Sequence, residues 1–413
     1  MLKKLGLALV IVLLLGVTGK VFLLPVLEEN GPPAFWTAFL VWKDGGAAAS
    51  GAGSSAADEP EEPELRPEDA LLEHMTLEQK VGQLFFARCP EEDAVDEIAA
   101  LHPAGYVLFA RDFEGQTPDS VRETIAGYQS ASDIPMLIGV DEEGGSVVRI
   151  SKYRAFRLSP FQSPQELLAE GGMEAFGYDT AEKDAVLGDL GINVNLAPVC
   201  DVVVNRGDYM YQRAFGEDAE GTAAYVRCVV EQMTKDGMGA VLKHFPGYGP
   251  NGNTHNAAVK DSRPMQTYET SDFLPFEAGI EEGAGSVLVS HIIVECMDDS
   301  APASLSPKVH EILRDTLHFD GVVMTDDLSM DAVGGFAETG EAAVLAVQAD
   351  NDLIISSNFA VQHAAVLKAV ANGTLTEAEI DAHVRRVLRW KLSLDLIDAD
   401  DIAALQTPEE DAA

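Results

Sequence analysis

Basic residues are few in this chain. Its 413 residues include 68 Asp and Glu against 28 Lys and Arg, which gives a formal net charge of -40 at pH 7. A surplus of this size argues against binding to nucleic acid or anionic surfaces through overall electrostatics, although it is compatible with a local cationic pocket. Nucleic acid is therefore not expected as a partner.

Cysteine is also scarce. The four residues Cys89, Cys200, Cys228 and Cys296 are widely spaced and form no CxxC pair. This spacing indicates neither a zinc site nor a dense disulfide framework, so small buried side chains are expected. The histidines of the predicted helices and turns show no metal-ligand spacing, and no G-x-G-x-x-G follows a first strand. The sequence therefore indicates no metal and no cofactor.

A long apolar run occurs at the N-terminus. Lys3 and Lys4 precede an apolar stretch over 5–27 that is interrupted by Lys20. As one helix this stretch would measure roughly 34 Å at about 1.5 Å per residue, enough to cross a bilayer. An uncleaved signal-anchor is favoured over a cleaved signal peptide, since no A-x-A-like site follows the run directly. Either alternative places the rest of the chain outside the cytoplasm.

Composition divides the chain into four segments. Residues 1–43 are predicted to be the anchor and an interfacial stretch. Residues 44–69, rich in Gly, Ala, Ser, Pro and Glu, cannot bury enough apolar surface to offset their ordering entropy, so they are predicted to be a flexible acidic linker. Residues 70–400 form a single catalytic domain, and residues 401–413 form an acidic tail. The predicted protein is thus anchored to the cell membrane, with its domain held away from the lipid.

Eight short apolar stretches follow the linker and alternate with segments of helical period. Each is apolar enough to be buried on both faces, which is typical of a parallel sheet. The pattern predicts an α/β fold, a (β/α)8 TIM-type barrel, with a doubly wound sheet as the alternative. The predicted strands are 82–87, 105–110, 136–140, 192–198, 239–242, 286–290, 321–325 and 352–356.

Charged or polar residues come directly after almost every predicted strand. Examples are Asp141, Asp201, His291 and the pair Asp326–Asp327. The carboxyl ends of barrel strands converge on one mouth, whereas an open sheet concentrates its site near a switch point. The even distribution of these residues favours the barrel.

A loop rich in Gly, Pro and Asn follows the fifth predicted strand. The apolar run 239–242 ends in Lys243 and His244, and the loop then carries a second histidine, His255. Polar strand ends that lead into long Gly-rich loops are typical of the active-site face of α/β barrels. A surface loop with two incidental histidines is the alternative.

Asp326 is the residue best placed to act as a nucleophile at the predicted mouth. Glycoside hydrolysis with retention requires a carboxylate that attacks the anomeric carbon and a group that protonates the leaving oxygen. Asp326 can supply the first, and His255 can supply the second, because the ordinary pKa of a histidine side chain lies near neutral pH. The alternative for Asp326 and Asp327 is a capping role at the helix after the strand.

Five separated motifs, in order between about Met75 and Asn358, resemble the signature segments of glycoside hydrolase family 3, in its β-N-acetylhexosaminidase branch. They are Val140–Gly145, Asn195–Val202, Arg213–Gly216, Lys243–Gly249 and Met324–Met330. The resemblance implies a (β/α)8 barrel of retaining exo-enzymes in which Asp326 forms the covalent glycosyl intermediate and His255 is the acid/base. It also implies sugar binding by Asp141, Arg149, Arg213, Lys243 and His244.

One position departs from the family pattern. The family loop has Asp-Ser-His or Asp-Thr-His, whereas this chain has Asn253-Thr254-His255. Asn253 can accept a hydrogen bond from the imidazole, but it cannot stabilise an imidazolium by charge. Loss of the carboxylate in the analogous Ser-His-Asp triad costs about four orders of magnitude in rate. A slowed hydrolase, or a compensating acid such as Asp261, is therefore expected.

The sequence thus predicts a retaining exo-β-N-acetylhexosaminidase that removes terminal N-acetylglucosamine from extracellular or cell-wall glycans, as in peptidoglycan turnover. One alternative is a sugar-binding relative with weak or no turnover because of Asn253. Another is a β-glycoside phosphorylase, since a histidine donor presents no negative charge to phosphate. The sequence does not indicate the oligomeric state.

Overall fold

Eight short parallel strands in the described part of the chain surround a common centre. The computed structural model describes residues 66–254 and 258–398. Two further strands, β6 and β8, form a small separate sheet within the same range. The ten described strands are β1 (Phe85–Arg88), β2 (Gly105–Leu108), β3 (Leu137–Val140), β4 (Val194–Asn195), β5 (Gly239–Phe245), β6 (Val259–Asp261), β7 (Ser286–Val289), β8 (Ile292–Val294), β9 (Val322–Thr325) and β10 (Ile354–Ser356).

Helices connect the strands. The described ones are α1 (Pro67–Glu73), α2 (Leu77–Gly82), α3 (Ala94–Leu101), α4 (Ala110–Phe113), α5 (Pro118–Ala131), α6 (Pro164–Gly171), α7 (Glu174–Asp189), α8 (Ala219–Asp236), α9 (Met265–Thr267), α10 (Phe273–Glu281), α11 (Pro307–Glu311), α12 (Asp331–Gly334), α13 (Thr339–Gln348), α14 (Phe359–Ala371) and α15 (Glu377–Ser393). Two π-helical turns, Tyr268–Asp272 and Ile312–Thr316, and one 3-10 turn, Ala303–Leu305, complete the described helical elements.

The eight-stranded sheet is a nearly closed parallel barrel. Its order is β10-β1-β2-β3-β4-β5-β7-β9. Strand β1 pairs with β10, and a parallel bridge between Met324 and Leu353 joins the two strands at the ends of that order. An open doubly wound sheet would leave its edge strands apart. The doubly wound alternative is therefore wrong. The arrangement is consistent with a TIM-type barrel.

Alternation along each strand produces two apolar clusters. Phe85 and Ala87 of β1 belong to the cluster between the strands and the surrounding helices, whereas Phe86 belongs to the cluster inside the barrel. The interior cluster also contains Trp390 of α15. A Cβ atom on Gly285 would lie 2.1 Å from the Trp390 indole nitrogen, so a glycine is required where this ring packs before β7.

The predicted strands are all present, although several are shorter than predicted. The pattern of apolar residues did not predict the small sheet of β6 and β8, because these strands are only three residues long. Residues Pro307–Glu311 form α11, and a π-helical turn, Ile312–Thr316, follows it directly. Thr76 and Gln79 form a capping box at the start of α2.

The predicted linker boundary requires a correction. Helix α1 begins at Pro67, inside the range 44–69 that was expected to be flexible. Pro at the first helical position favours this start, and Asp69 is tied to Arg385 of α15 at 2.6 Å. Ala70 and Leu72 are buried in the core. The last three residues of the predicted linker are therefore helical.

The predicted anchor, most of the linker and the acidic tail lie outside the described residues. Among the helices of residues 66–254 and 258–398, none combines the length and the apolar character needed to cross a bilayer.

Candidate active site

A cavity of about 450 Å³ lies at the carboxyl ends of the barrel strands. Side chains from β1, β2, β5, β7 and β10 and from the segments after β2, β3, β4 and β9 line its wall. Six of the residues predicted from the sequence are among them: Asp141, Arg149, Arg213, Lys243, His244 and Asp326. The structure therefore brings together six of the eight predicted binding or catalytic residues. Of the other two, Asn253 is not among the residues that line this cavity, and His255 lies outside the described residues.

Strand periodicity explains why these side chains face the cavity. Leu137, Val241 and Met324 belong to the interior cluster of the barrel. Residues an even number of positions further along face the same way, because side chains alternate along a strand. Asp141 and Asp326 follow this rule. Lys243 follows it too, and His244 also lines the cavity because the register of β5 against β7 shifts between Lys243 and Phe245.

Glu143 is the buried carboxylate that organises the cations of the site. Lys243 lies 2.6 Å from one Glu143 oxygen, and Arg213 donates two hydrogen bonds to the same carboxylate at 2.7 and 2.9 Å. Burial opposes ionisation of Glu143, but the charges of Arg213 and Lys243 outweigh it and hold the Glu143 pKa well below its usual value. The carboxylate is thus ionised, and it fixes both cations at the cavity wall.

Asp141 lies between two cations. Its carboxylate accepts a hydrogen bond from the Lys243 ammonium at 2.6 Å, and Arg149 lies 3.6 Å from its other oxygen. Lys243 itself is 2% exposed. An ammonium buried to this extent requires charged partners, and Asp141 and Glu143 supply them.

The tautomer of His244 follows from its two neighbours. Its Nε2 lies 3.3 Å from a guanidinium nitrogen of Arg213, and arginine can only donate. Nε2 is therefore the acceptor, so Nδ1 carries the proton and donates to Asp201 at 2.8 Å. The other Asp201 oxygen accepts the backbone N–H of Tyr248 at 2.6 Å, which ties the strand end to the following loop.

Asp326 and Asp327 have different surroundings. The Asp326 carboxylate lines the cavity, and one of its oxygens accepts the Asp327 backbone N–H at 2.8 Å. The Asp327 carboxylate accepts the Ser329 backbone N–H at 2.9 Å and the Ser357 hydroxyl. The first residue of α12 follows Met330, and no side chain caps that helix. The capping alternative for the aspartate pair is therefore wrong.

Contacts between its own residues stabilise the loop after β5. Gly247 has φ of 120°, and a Cβ atom there would lie 2.4 Å from an Asp272 oxygen, so only glycine fits. The Tyr248 hydroxyl contacts both the hydroxyl of Thr254, at 2.8 Å, and its backbone N–H, at 3.0 Å. Asn253 is half-buried beside the buried Thr254. His255 lies outside the described residues.

Asp261, the candidate for a compensating acid, has a structural role. Its carboxylate accepts hydrogen bonds from the Asn251 amide at 2.7 Å and from the Arg263 side chain at 2.8 Å. The Arg263 backbone N–H donates to the other oxygen at 2.8 Å. These contacts join the two ends of the loop that contains residue 255.

Several residues of the site were not predicted. Glu143 and Asp201 occur in the motifs, but the spacing of the chain does not reveal that they hold Lys243 and His244. Tyr209, which is 41% exposed, also lines the cavity. Arg88 also lines it and could have been found, because it follows the inward-facing Phe86 by two residues.

Asp350, Asp352 and His383 form the one cluster of metal-ligating side chains within the described ranges. Arg314 and Arg386 lie 2.7 and 3.0 Å from the Asp352 carboxylate, and His383 contacts it at 3.0 Å. The two guanidinium groups already balance the carboxylates. Asp352 precedes β10, so the cluster lies at the opposite end of the barrel from the cavity.

Comparison with known proteins agrees with this geometry. The family model described as the glycosyl hydrolase family 3 N-terminal domain matches residues 76–390. A β-hexosaminidase of Xanthomonas campestris pv. campestris is 34% identical over 297 residues, which are 70% of this chain and 87% of that protein. A β-hexosaminidase of Methylococcus capsulatus is 32% identical over 276 residues, 66% of this chain and 81% of that protein.

Solved structures are similar as well. A family 3 β-N-acetylglucosaminidase from Paenibacillus sp. has a TM-score of 0.73 and 30% identity, over 80% of this chain and 67% of that chain. A β-N-acetylhexosaminidase from Beutenbergia cavernae has a TM-score of 0.69 and 29% identity, over 77% of this chain and 98% of that chain. The family model covers most of the chain, and the chain therefore belongs to glycosyl hydrolase family 3 and is a glycoside hydrolase.

Proposed function

We propose that this chain is a retaining exo-β-N-acetylhexosaminidase that removes terminal N-acetylglucosamine through a covalent glycosyl-aspartate intermediate. The observation that carries the proposal is the Asp326 carboxylate in a cavity whose wall is an ordered set of cations and carboxylates. The names of the relatives, β-hexosaminidase and β-N-acetylglucosaminidase, support the choice of sugar.

Asp326 is the proposed nucleophile. The hydrogen bond from the Asp327 backbone N–H holds one carboxylate oxygen, and this fixes the direction of the other. A carboxylate fixed in this way can attack the anomeric carbon without reorganising first. The developing positive charge of the sugar ring is stabilised by the same negative charge.

Asp141, Arg149, Arg213, Lys243 and His244 are proposed to bind the sugar hydroxyls. Lys243 and Arg213 are strong donors, and their contacts with Glu143 keep them in place before the ligand arrives. Asp141 is the acceptor of the set. Because these groups pair with one another, the sugar meets donors and an acceptor that are already oriented.

His255 is proposed to protonate the leaving oxygen and later to activate water, with Asn253 as its neighbour in the loop. The proposal for His255 rests on the family resemblance, and within the described residues the hydrogen bonds of Thr254 with Tyr248 hold the backbone of the loop up to residue 254. Asn253 in place of the family aspartate favours a second possibility, a sugar-binding relative with weak or no turnover.

Hydrolysis of 4-nitrophenyl β-N-acetylglucosaminide tests the proposal. The wild type should release the sugar with net retention, Asp326→Asn should abolish release, and His255→Ala should reduce it sharply. Binding without release would favour the sugar-binding alternative. A rate that depends on added phosphate, with a sugar phosphate as product, would favour the phosphorylase.

The predicted location is a further part of the proposal. Extracellular or cell-wall glycans are the proposed substrates, and residues 5–27 are the proposed membrane anchor. Fractionation of cells that express the full chain or a chain without residues 1–43 tests the anchor. Recovery of both forms in the same soluble fraction would contradict it.

A further inference from the structure

His291 is a buried histidine that the proposed mechanism does not use. It is the second residue after β7, its exposed fraction is 0%, and it is not among the residues that line the cavity of the candidate active site. Burial of an imidazole is costly unless its ring nitrogens have hydrogen-bond partners. The partners of His291 therefore show which part of the fold this ring holds.

Two hydrogen bonds fix the His291 ring. Its Nε2 lies 3.0 Å from the backbone carbonyl oxygen of Asp327, and its Nδ1 lies 2.6 Å from the hydroxyl of Ser304. A carbonyl oxygen can only accept, so Nε2 carries a proton and donates it. In the neutral imidazole Nδ1 is then the acceptor of the Ser304 hydroxyl. Ser304 is fully buried, and its backbone N–H donates to the Ser290 carbonyl at 3.0 Å.

The carbonyl that His291 holds belongs to the residue that orients the proposed nucleophile. The Asp327 N–H donates to the Asp326 carboxylate at 2.8 Å. The Asp326 N–H donates to the carbonyl of Val289, the last residue of β7, at 3.0 Å. The end of β7 thus holds this turn on both sides, through Val289 before the nucleophile and through His291 after it. The Met330 N–H also donates to the Asp327 carbonyl, at 3.1 Å, so loss of His291 should loosen the turn without unfolding it.

The position of His291 favours a positioning role over a catalytic one. Both ring nitrogens are engaged by Asp327 and Ser304, and the ring lies behind the cavity wall. The Asp327 carboxylate has other partners, the Ser329 backbone N–H and the Ser357 hydroxyl. His291 therefore acts on the main chain of the turn, and it can affect the sugar only through that turn.

We propose that His291 is a positioning residue that fixes the direction of the Asp326 carboxylate through the backbone of Asp327. This inference rests on the proposed function, in which Asp326 is the nucleophile. The cations proposed to bind the sugar hydroxyls are held by Asp141 and Glu143 instead. Loss of the His291 hydrogen bonds should therefore slow attack on the anomeric carbon and leave the affinity for the sugar unchanged.

Four variants separate this role from a general loss of stability. His291→Leu removes both hydrogen bonds, whereas His291→Gln keeps an N–H donor and an acceptor. Ser304→Ala keeps the imidazole and removes the hydroxyl that fixes it. His363→Leu is the matched control, because His363 is also buried, contacts a backbone carbonyl, that of Glu78 at 3.4 Å, and is not among the cavity residues.

Three quantities are measured for each protein. They are kcat/KM for 4-nitrophenyl β-N-acetylglucosaminide, Kd for the corresponding thioglycoside, whose sulfur linkage resists hydrolysis, and Tm. His291→Leu should lower kcat/KM by about tenfold to a hundredfold at unchanged Kd, since a small misplacement of a reacting group has effects of this size. His291→Gln should recover part of the loss. His363→Leu should lower Tm and keep kcat/KM.

Ser304→Ala should cause a smaller loss of kcat/KM than His291→Leu. Adding it to His291→Leu should cause no further loss, because both changes act through one contact. Ser304→Ala also tests the same contact if His291→Leu does not fold. An unchanged kcat/KM in both single variants, a loss matched by His363→Leu, or a loss that appears in Kd would overturn the proposal. A wild type that binds the thioglycoside but does not hydrolyse the aryl glycoside would instead contradict the proposed function, and this inference would fail with it.

Discussion

The carboxyl group of Asp184 should make the stability of the domain depend on pH, and Asp184→Asn should remove this dependence. Asp184 lies on α7 and is 4% exposed. Neither of its oxygens has a hydrogen-bond partner within the described ranges. Burial, and then the charge of Asp236 at the end of α8, raise the pKa of Asp184 from its ordinary 3.8 to about 7.

The sign follows from linkage. The folded state holds the proton up to a higher pH than the unfolded state does, so the contribution to stability is fully present below the unfolded pKa and is lost as pH rises through the folded pKa. A shift from 3.8 to about 7 corresponds to about 4 kcal/mol at about 1.4 kcal/mol per unit. About 2 to 3 kcal/mol of this should be lost between pH 5 and pH 8.

Thermal unfolding of the wild type and of Asp184→Asn across pH 5 to 8 measures the effect. The difference in Tm between the two proteins isolates residue 184 from the other titrating groups. The wild type should lose several degrees relative to the variant as pH rises. Glu174→Gln, an exposed change on the same helix, is the matched control and should parallel the wild type. A Tm difference that does not vary with pH would refute the reasoning.

Two further predictions concern the cavity. Lys243→Met should lower the free energy of unfolding by about 2 to 3 kcal/mol. Glu143 keeps its ion pair with Arg213 and Asp141 keeps Arg149, but both carboxylates lose the Lys243 ammonium. Because Lys243 helps to hold the Glu143 pKa low, acid unfolding should also move to higher pH, and unchanged acid unfolding would contradict the described pairing. Asn253→Asp should raise kcat/KM for the aryl glycoside on the order of tenfold or more, by stabilising the imidazolium of His255. An unchanged rate would mean that the loop does not use residue 253 in this way.

The barrel was predictable because its strands are short, apolar on both faces and separated by helical segments. A parallel strand that is buried on both faces requires a continuous apolar run. Such a run can be recognised in the sequence of each strand alone, without knowledge of its neighbours in the sheet. The small sheet of β6 and β8 was not predictable, since three-residue strands carry too little pattern. The start of α1 was missed because its flanking composition resembles the linker, whereas its order comes from distant contacts with α15.

The sequence predicted most residues of the candidate site, but not the contacts between them. Polar residues at strand ends identified Asp141, Lys243 and Asp326, because carboxyl ends converge in a barrel. The role of Glu143 depends on Arg213, seventy positions along the chain, and spacing cannot reveal such a pair. Arg88 was accessible in principle through the alternation along β1.

The location of a trapped glycosyl group tests the central claim most directly. The enzyme is incubated with a slowly turned-over fluorinated N-acetylglucosaminide, digested, and mapped by mass spectrometry. The account predicts one added sugar on the peptide that contains Asp326 and none in Asp326→Asn. A sugar attached to another residue, or hydrolysis with inversion and no attached sugar, would contradict it.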